Sequence, residues 1–216
     1  MKKIMFNDAY GLTQSVLNKT KSVTRRVIEF DFMNLYTNEP ILVTDVFFED
    51  GGWYIRLEGN RRPHPMPKFF LPKYKTDEVI AIAQPYRNIL DYLPEVYRRK
   101  SDGWISDLIS TSAGLNNKMF VCADLMPHHI KITDIRCERL QDIPDENCIK
   151  EGIYRLESAN GNGGIAYSFV GASDKKHIGL YDTPREAFAV LIDKVSNKGT
   201  WERNPFVWVY EFELIK

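Results

Sequence analysis

Alternating apolar and polar positions predict several β-strands in this chain. Residues 3–6 are predicted to form a short strand. Ile41–Phe48 is rich in β-branched and aromatic residues, which favour strands. Asp50-Gly51-Gly52 follows, and apolar and polar residues then alternate from Trp53 to Leu57. This arrangement is typical of a β-hairpin. Val79–Ala83 is apolar at every position, which predicts a strand buried on both faces.

Two longer strands follow in the second half of the chain, His129–Leu140 and Phe206–Leu214. In the first of them the apolar positions change parity partway along the strand. These positions are Ile130, Ile132, Ile135 and Cys137. One extra residue near Thr133–Asp134 would keep both pairs on the same face, so the pattern predicts a β-bulge there.

Three segments have helical signals. Asp8 is a candidate cap for a helix over residues 9–18, although Gly11 weakens its helix propensity. Residues 144–151 predict a short helix closed by Gly152. Thr183-Pro184-Arg185-Glu186 is a capping box with proline at the first helical position, and the helix it opens should end near residues 197–199.

The elements together predict one α+β domain over residues 1–216, built around a small closed or nearly closed β-barrel with flanking helices. Its 44% hydrophobic content is enough for a sizeable core. The proline-rich stretch 59–75 predicts a loop, and the mixed segments 86–117 and 154–182 predict insertions.

Charge and cysteine content narrow the function classes. Lysine and arginine number 29, as do aspartate and glutamate, so net charge does not indicate a general nucleic-acid coat. Three widely spaced cysteines favour a reducing compartment over a disulfide framework. Because we find neither a signal peptide nor an apolar run of membrane-spanning length, we expect a cytoplasmic protein with no membrane partner.

The clearest candidate site is the basic turn from Lys19 to Arg26, which contains four cationic and three hydroxyl side chains in eight residues. Such a turn can hold a phosphate or a polar base edge through its side chains and free backbone amides. A threonine beside a lysine of lowered pKa can also act as a nucleophile. The alternative is a solvated basic turn without a ligand.

The spacing Lys21-x-x-Thr24-x-Arg26 after an N-terminal helix resembles the signature of the ASCH family, which belongs to the PUA-like barrels. Further segments resemble the larger ASCH-type proteins of phages and prophages. These segments are Tyr74–Tyr86, Met126–Ile130, Glu138–Ile143, Glu151–Ile153 and Trp201–Phe212. Together they span most of the chain, and the resemblance implies a bacterial, phage-encoded or prophage-encoded protein.

The resemblance implies a PUA-like fold with a cleft beside the Lys21–Thr24 turn. The wider superfamily mostly binds RNA or modified bases. Some small ASCH proteins are amidohydrolases that remove an acyl group from N4-acylated cytidine. They use a lysine and a threonine at the positions of Lys21 and Thr24, together with a glutamate on a later strand.

This chain departs from the family pattern in three places. Lys19 replaces a glycine, Thr76 replaces the glycine of a Gly-Asp pair, and Ala83-Gln84 stand where many relatives carry an acid. Glutamine can orient a ligand, but it cannot shuttle a proton at neutral pH. Glu78 and Glu138 are the candidate replacements.

We therefore expect a protein that binds nucleic acid or a modified nucleotide at the Lys21–Arg26 turn, with RNA or a nucleotide as its partner. Phosphate or base would contact Lys19, Lys21, Arg25 and Arg26. Thr24 and Gln84 would give directional hydrogen bonds, and Tyr86 would stack on a base.

Two alternatives stay open. The first is an amidohydrolase with Lys21 as base and Thr24 as nucleophile. The second is a phage-encoded accessory protein that contacts another protein through residues 86–117.

Neither a metal nor a cofactor is expected. His128-His129 has no third ligand at a recognisable spacing, and adjacent strand residues face opposite sides of a sheet. Trp208, Tyr210 and Phe212 share one strand face and are expected in the core, whereas Trp201 is the better stacking candidate because it is expected in a loop.

Overall fold

The computed structural model describes residues 1–94, 107–157, 164–171 and 177–215. It has a mixed α+β architecture, as predicted, and its described strands form three sheets. The strands are β1 (Lys3–Ile4), β2 (Val23–Val27), β3 (Val43–Glu49), β4 (Gly52–Leu57), β5 (His64–Pro65), β6 (Val79–Ile82), β7 (His129–Arg139), β8 (Tyr154–Glu157), β9 (Ile165–Val170), β10 (His177–Tyr181) and β11 (Phe206–Leu214). The α-helices are α1 (Leu12–Leu17), α2 (Asp107–Ser110), α3 (Asp145–Lys150), α4 (Pro184–Val195) and α5 (Thr200–Arg203).

The main sheet has the strand order β1-β6-β7-β11-β2. Only the β1–β6 pair is parallel. Along β7 and β11, Asp134 pairs with Glu211 and Ile132 pairs with Phe212, so Thr133 is the extra residue. The predicted β-bulge is confirmed at this residue.

The edges of the main sheet are β1 and β2, and among the described residues no strand pair joins them. A side chain bridges the two regions instead, since Arg26 Nη2 donates to the carbonyl oxygen of Met5 at 2.6 Å. The α+β class is therefore confirmed, while strand pairing that closes a barrel is not observed in the described part of the chain.

The second sheet contains the predicted hairpin, β3–β4, extended by the short strand β5. The turn residues Asp50 and Gly51 have φ angles of 47° and 78°. Two positive φ angles in succession are typical of the type I′ turn that joins twisted strands closely. The predicted loop 59–75 contains β5 and a short 3-10 turn at Lys68–Phe70.

The N-terminal helix is shorter than predicted. Gly11 has a φ of 63°, which interrupts the helix after a 3-10 turn at Asp8–Tyr10, and α1 begins only at Leu12. The capping side chain is Asn7, whose Oδ1 accepts a hydrogen bond from the amide of Ala9 at 2.9 Å.

Thr183 is confirmed as the N-cap of α4, because its hydroxyl oxygen accepts a hydrogen bond from the amide of Glu186 at 3.2 Å. The Glu186 carboxylate accepts from the amide of Asp182 at 3.2 Å, one residue before the amide that a capping box uses. The apolar side of α4 packs into the main core through Phe188 and Leu191. Trp201 lies in α5 rather than in a loop, and its ring packs against Phe188 at a centroid distance of 6.1 Å.

Strand β6 is covered on both faces over most of its length. Ile80 and Ile82 belong to the main core, whereas Ala81 and Ala83 belong to a second core cluster. The predicted insertion 86–117 contributes Ile89, Leu90, Leu93 and Ile109 to that second cluster. The basic run Arg98–Lys100 of this insertion lies outside the described residues.

The predicted insertion 154–182 contains the third sheet, with the order β10-β9-β8. Strands β9 and β10 contact α4. The glycine-rich stretch Asn160–Gly163 lies outside the described residues. Within the described part of the chain, no helix combines the length and the apolar character needed to cross a membrane.

Candidate functional site

The basic turn between α1 and β2 uses its backbone amides internally. Lys19 has a φ of 61°, and its amide donates to the carbonyl oxygen of Val16. The amides of Thr20 and Lys21 both donate to the carbonyl oxygen of Ser15, at 2.9 and 3.0 Å. Ser22 donates to Lys150 at 3.0 Å. The prediction that free amides of this turn hold a phosphate is therefore wrong.

Lys21 is almost completely buried, with 2% of its surface exposed. Its Nζ donates to the carbonyl oxygens of Val23 and Glu151 at 2.7 and 2.8 Å, and it lies 2.5 Å from Oε2 of Glu151. Loss of hydration on burial lowers the pKa of Lys21, and the neighbouring Glu151 carboxylate opposes this shift. All three N–H groups of the ammonium are engaged, so none is left for a ligand.

Arg25 is also buried and pairs with two carboxylates. Its Nη1 lies 3.1 Å from Oε1 of Glu151, and its Nη2 lies 2.6 Å from Oε1 of Glu138. Lys21, Arg25, Glu138 and Glu151 thus form a buried charge cluster of two cations and two carboxylates. Glu138 also pairs with Nε of Arg136 at 3.2 Å. Because Lys21 and Arg25 are both already paired, a phosphate would have to displace a carboxylate before it could contact either of them.

The local chain geometry fixes Glu151 in this cluster. Glu151 directly follows α3. Cys148, three residues before it, and Ile153, two residues after it, are both buried. Gly152 has a φ of 105°, and a Cβ there would lie 3.1 Å from the Leu12 side chain. Glycine is therefore the residue that lets the chain turn at this point and hold Glu151 against Lys21.

Thr24 lines a small cavity of about 30 Å³ together with Lys21 and Glu151. That volume corresponds to about one water molecule. Phe188 and Leu191 of α4 line the same cavity, so an apolar helix face lies over the polar groups. The lysine and threonine of the family pattern therefore do lie beside a carboxylate, but in a space too small for a nucleoside.

Arg26 lies beside a much larger open groove, of about 540 Å³. Arg26 pairs with Trp208 and Thr24 with Tyr210 across β2 and β11, so these four residues share one face of the main sheet. The aromatic lining of this Arg26 groove comprises Phe69, Phe70, Tyr74, Trp208 and Tyr210. Its charged lining comprises Lys3, Arg26, Lys73 and Glu29, which makes the groove net cationic.

The inner aromatic residues of the groove are fixed by hydrogen bonds. Trp208 Nε1 donates to the carbonyl oxygen of Phe70 at 2.8 Å, and the Tyr210 hydroxyl accepts from the amide of Lys73 at 3.0 Å. Phe69, in contrast, is 76% exposed. An exposed ring beside cationic side chains is the combination that stacks a base and attracts a phosphate.

The structure separates the other predicted ligand residues from the basic turn. Tyr86 belongs to the second core cluster, and its hydroxyl accepts a hydrogen bond from the amide of Cys122 at 2.8 Å. Gln84 is buried, with Oε1 lying 2.7 Å from Nδ1 of His128. Lys19 is exposed and lines neither the small cavity nor the Arg26 groove. The predicted set is therefore not one site.

The remaining side chains that could bind a metal or act as nucleophiles have structural roles. Among the described residues, no three His, Cys, Asp or Glu side chains converge as metal ligands. Burial raises the pKa values of Cys137 and Cys148 to about 12, so neither thiol is ionised at neutral pH.

Glu151, Phe69 and Lys73 were not predicted as site residues from the sequence. Glu78 and Glu138 were the predicted replacements for the missing acid, and only Glu138 joins the buried charge cluster. Glu78 pairs instead with exposed Lys2 at 3.0 Å. One signal for Glu151 was available, since it directly precedes a glycine inside a segment that resembles the family.

The chain was compared with protein-family models, with curated proteins and with solved structures, and none of the three comparisons finds a match. The ASCH resemblance therefore rests on the sequence segments alone.

Proposed function

We propose that the protein binds a nucleotide or a single-stranded segment of nucleic acid in the Arg26 groove. The observation that carries this proposal is the exposed ring of Phe69 on a groove that is net cationic. Aromatic rings stack on bases of any sequence, and lysine and arginine attract the phosphates. The proposal keeps the expected class of ligand but moves the contacts from Lys21 and Arg25 to Arg26, Phe69 and Lys73.

The fixed groove walls favour binding, because a ligand would not have to order them. Arg26 uses one nitrogen for the Met5 carbonyl oxygen, which orients the guanidinium and leaves its other N–H groups for a phosphate. Lys73 is exposed, with Nζ 5.5 Å from the centre of the Tyr74 ring. Together they can place a phosphate near the rim while a base lies against Phe69.

The same arrangement supports a PUA-like assignment for the main sheet. The Arg26–Met5 hydrogen bond links the β2 edge strand to the residue that follows the β1 edge strand, so the sheet is strongly curved. The Lys21-x-x-Thr24-x-Arg26 pattern runs into β2 of this sheet, and the resemblance carried by that pattern implies a PUA-like fold. We therefore propose that this sheet is the partial barrel of a PUA-like domain.

The test is a binding titration with fluorescently labelled single-stranded RNA and DNA, followed by anisotropy. Phe69→Ala should weaken binding about tenfold, since stacking of one base contributes about 1–3 kcal/mol. Phe48→Ala is the matched control, because Phe48 is an exposed phenylalanine of the separate β3–β4 hairpin. If both variants bind as tightly as the parent protein, the groove is not the site.

A second candidate function is the amidohydrolase activity, and the position of Glu151 favours it. The family pattern requires a carboxylate beside the lysine and the threonine, and Glu151 lies there although Ala83-Gln84 replace the usual acid. The neutral amine is the form of Lys21 that could take a proton from the Thr24 hydroxyl, and burial lowers the pKa of Lys21 in that direction while the ion pair with Glu151 opposes the shift. An acylated nucleoside could enter only if α4 moved away from the cavity.

This second candidate is tested by incubating the protein with N4-acetylcytidine and measuring cytidine by chromatography. Thr24→Val keeps the shape of the buried side chain and removes its hydroxyl, so it should abolish release. Thr20→Ala is the matched control and should leave release unchanged, because Thr20 belongs to the same turn but does not line the cavity. Equal release by the parent protein and by Thr24→Val would eliminate Thr24 as the nucleophile, and no release by the folded parent would eliminate this activity.

A further inference from the structure

A third cavity, of about 750 Å³, lies beside α1, the segment after β6 and the β8–β10 sheet. Its polar lining is unusual because side-chain amides predominate. These amides belong to Gln14, Asn18, Gln84 and Asn88. The volume falls in the range of ordinary small-molecule sites. We call this cavity the carboxamide pocket.

Gln84 is the innermost of these amides, with 7% of its surface exposed. Its Oε1 is engaged by His128, and the rest of the described chain provides no partner for its amide nitrogen. No fully buried side-chain nitrogen or oxygen in the described residues lacks a partner, so this nitrogen keeps some exposure, and Gln84 is a lining residue of the pocket. A largely buried donor that faces an open cavity is a ready contact for a ligand acceptor.

The charges of the described lining do not favour the binding of an anion. No lysine or arginine is among the described residues that line it. The carboxylate in the lining, Asp8, pairs with Nζ of Lys118 at 2.8 Å and accepts a hydrogen bond from the Thr13 hydroxyl. The described lining therefore offers a phosphate no unpaired lysine or arginine, which suits this part of the pocket to an uncharged ligand.

Aromatic and apolar groups complete the lining. The rings of Tyr154 and His177 lie edge to face with centroids 5.7 Å apart, and Leu17, Pro85 and Val170 contribute apolar surface. Each carboxamide offers a donor and an acceptor side by side, which matches the donor–acceptor edges of nucleobases. The combination fits a planar heterocycle that carries amide-like edges and no charge.

We propose that the carboxamide pocket binds an uncharged nucleobase or nucleoside. This site is separate from the Arg26 groove, which is net cationic and suited to phosphate. The inference rests on Gln84 and on the neutral lining, and it does not depend on the function proposed for the groove.

The test is an NMR titration of isotope-labelled protein with the common nucleosides, following the side-chain NH₂ signals of Gln84 and Asn88. At least one nucleoside should shift both signals saturably at millimolar concentrations. The matching nucleoside 5′-monophosphate should bind no more tightly than the nucleoside, because the described lining offers its phosphate no unpaired lysine or arginine.

Asn88→Asp removes one amide at the exposed rim of the pocket and should weaken nucleoside binding about tenfold. Asn116→Asp is the matched control, since Asn116 is exposed and does not line the pocket. Unshifted Gln84 signals with every nucleoside, or equal affinity of Asn88→Asp and the parent protein, would overturn the proposal. Phe69→Ala should leave this titration unchanged, which separates the pocket from the Arg26 groove.

Discussion

Arg25 and Arg26 are neighbours in the sequence, yet one side chain is buried between carboxylates and the other lies beside an open groove. Arg25 lies in the buried charge cluster, where two carboxylates neutralise it and Lys21. Arg26 lies on the other face of β2, on the open Arg26 groove beside Trp208. Arg25 is therefore engaged in the interior, whereas Arg26, which also lines the small cavity beside Thr24, reaches the open groove.

A local excess of cations does not by itself make an anion site. Within the basic turn, Lys21 and Arg25 are matched by carboxylates that come from distant parts of the chain. Cations of the Arg26 groove keep donors free for a ligand, because Arg26 is held by a neutral carbonyl oxygen and Lys73 is exposed. Whether a cationic side chain can bind an anion depends on the groups that it already contacts in the folded protein.

The largest expected effect concerns the buried charge cluster. Glu151→Gln should destabilise the protein by about 3–5 kcal/mol, because it leaves Lys21 and Arg25 with one carboxylate between them in a buried setting. Urea unfolding measures the difference. The structural control is Glu157→Gln, since Glu157 is exposed and its change should have little effect on the free energy of unfolding.

A double variant separates the charge imbalance from other effects of that substitution. Lys21→Met removes a buried cation, so adding it to Glu151→Gln should recover part of the lost stability. If the two changes are strictly additive, the Lys21–Glu151 pair is not energetically coupled.

A smaller effect is expected at the N-terminus of α4, the helix that lies over the Thr24 cavity. Thr183→Ala removes the hydroxyl that accepts from Glu186 and should cost about 1 kcal/mol of stability. Because α4 does not line the Arg26 groove, oligonucleotide binding should be unchanged. Thr76→Ala serves as the control at an exposed threonine outside the helices, and an equal loss there would remove the capping explanation.

Local patterns in the sequence were enough to predict many of the elements. The N-cap at Thr183 and the bulge at Thr133 depend on residues close together in the chain, and both are present as expected. The predicted start of α1 was wrong, because Gly11 adopts a left-handed conformation that helix propensity alone could not reveal.

The composition of the site could be predicted only in part. Glu151 meets Lys21 across 130 positions of the chain, and no periodic pattern specifies such a pairing. Gln84 and Tyr86 are two positions apart, yet Gln84 lines the carboxamide pocket while Tyr86 lies in the second core cluster. The residues that cover Tyr86 come from the 86–117 insertion and the segment after it, such as Val121, whose packing depends on tertiary contacts.

Binding in the Arg26 groove should depend on salt concentration. Lys73→Ala should reduce the slope of log affinity against log salt by about 1 if Lys73 contacts one phosphate. Lys75→Ala is the matched control, because Lys75 is exposed nearby but does not line the groove. Anisotropy titrations at several salt concentrations measure the slope, and an equal reduction in both variants would indicate general surface attraction.

The smallest effect concerns the pH dependence of stability near the carboxamide pocket. Burial lowers the pKa of His128 below its usual 6.5, and the nearby His129 lowers it further. Below pH 6.5 the unfolded chain therefore binds a proton that the folded protein does not yet bind, so stability falls as the pH falls and is fully present above 6.5. His128→Gln should remove this contribution, which urea unfolding on both sides of pH 6.5 measures as a smaller difference between the two conditions than in the parent protein. An identical pH dependence in both proteins would mean that His128 has the same proton affinity in the folded and unfolded states, and its hydrogen bond to Gln84 would then carry no pH sensitivity.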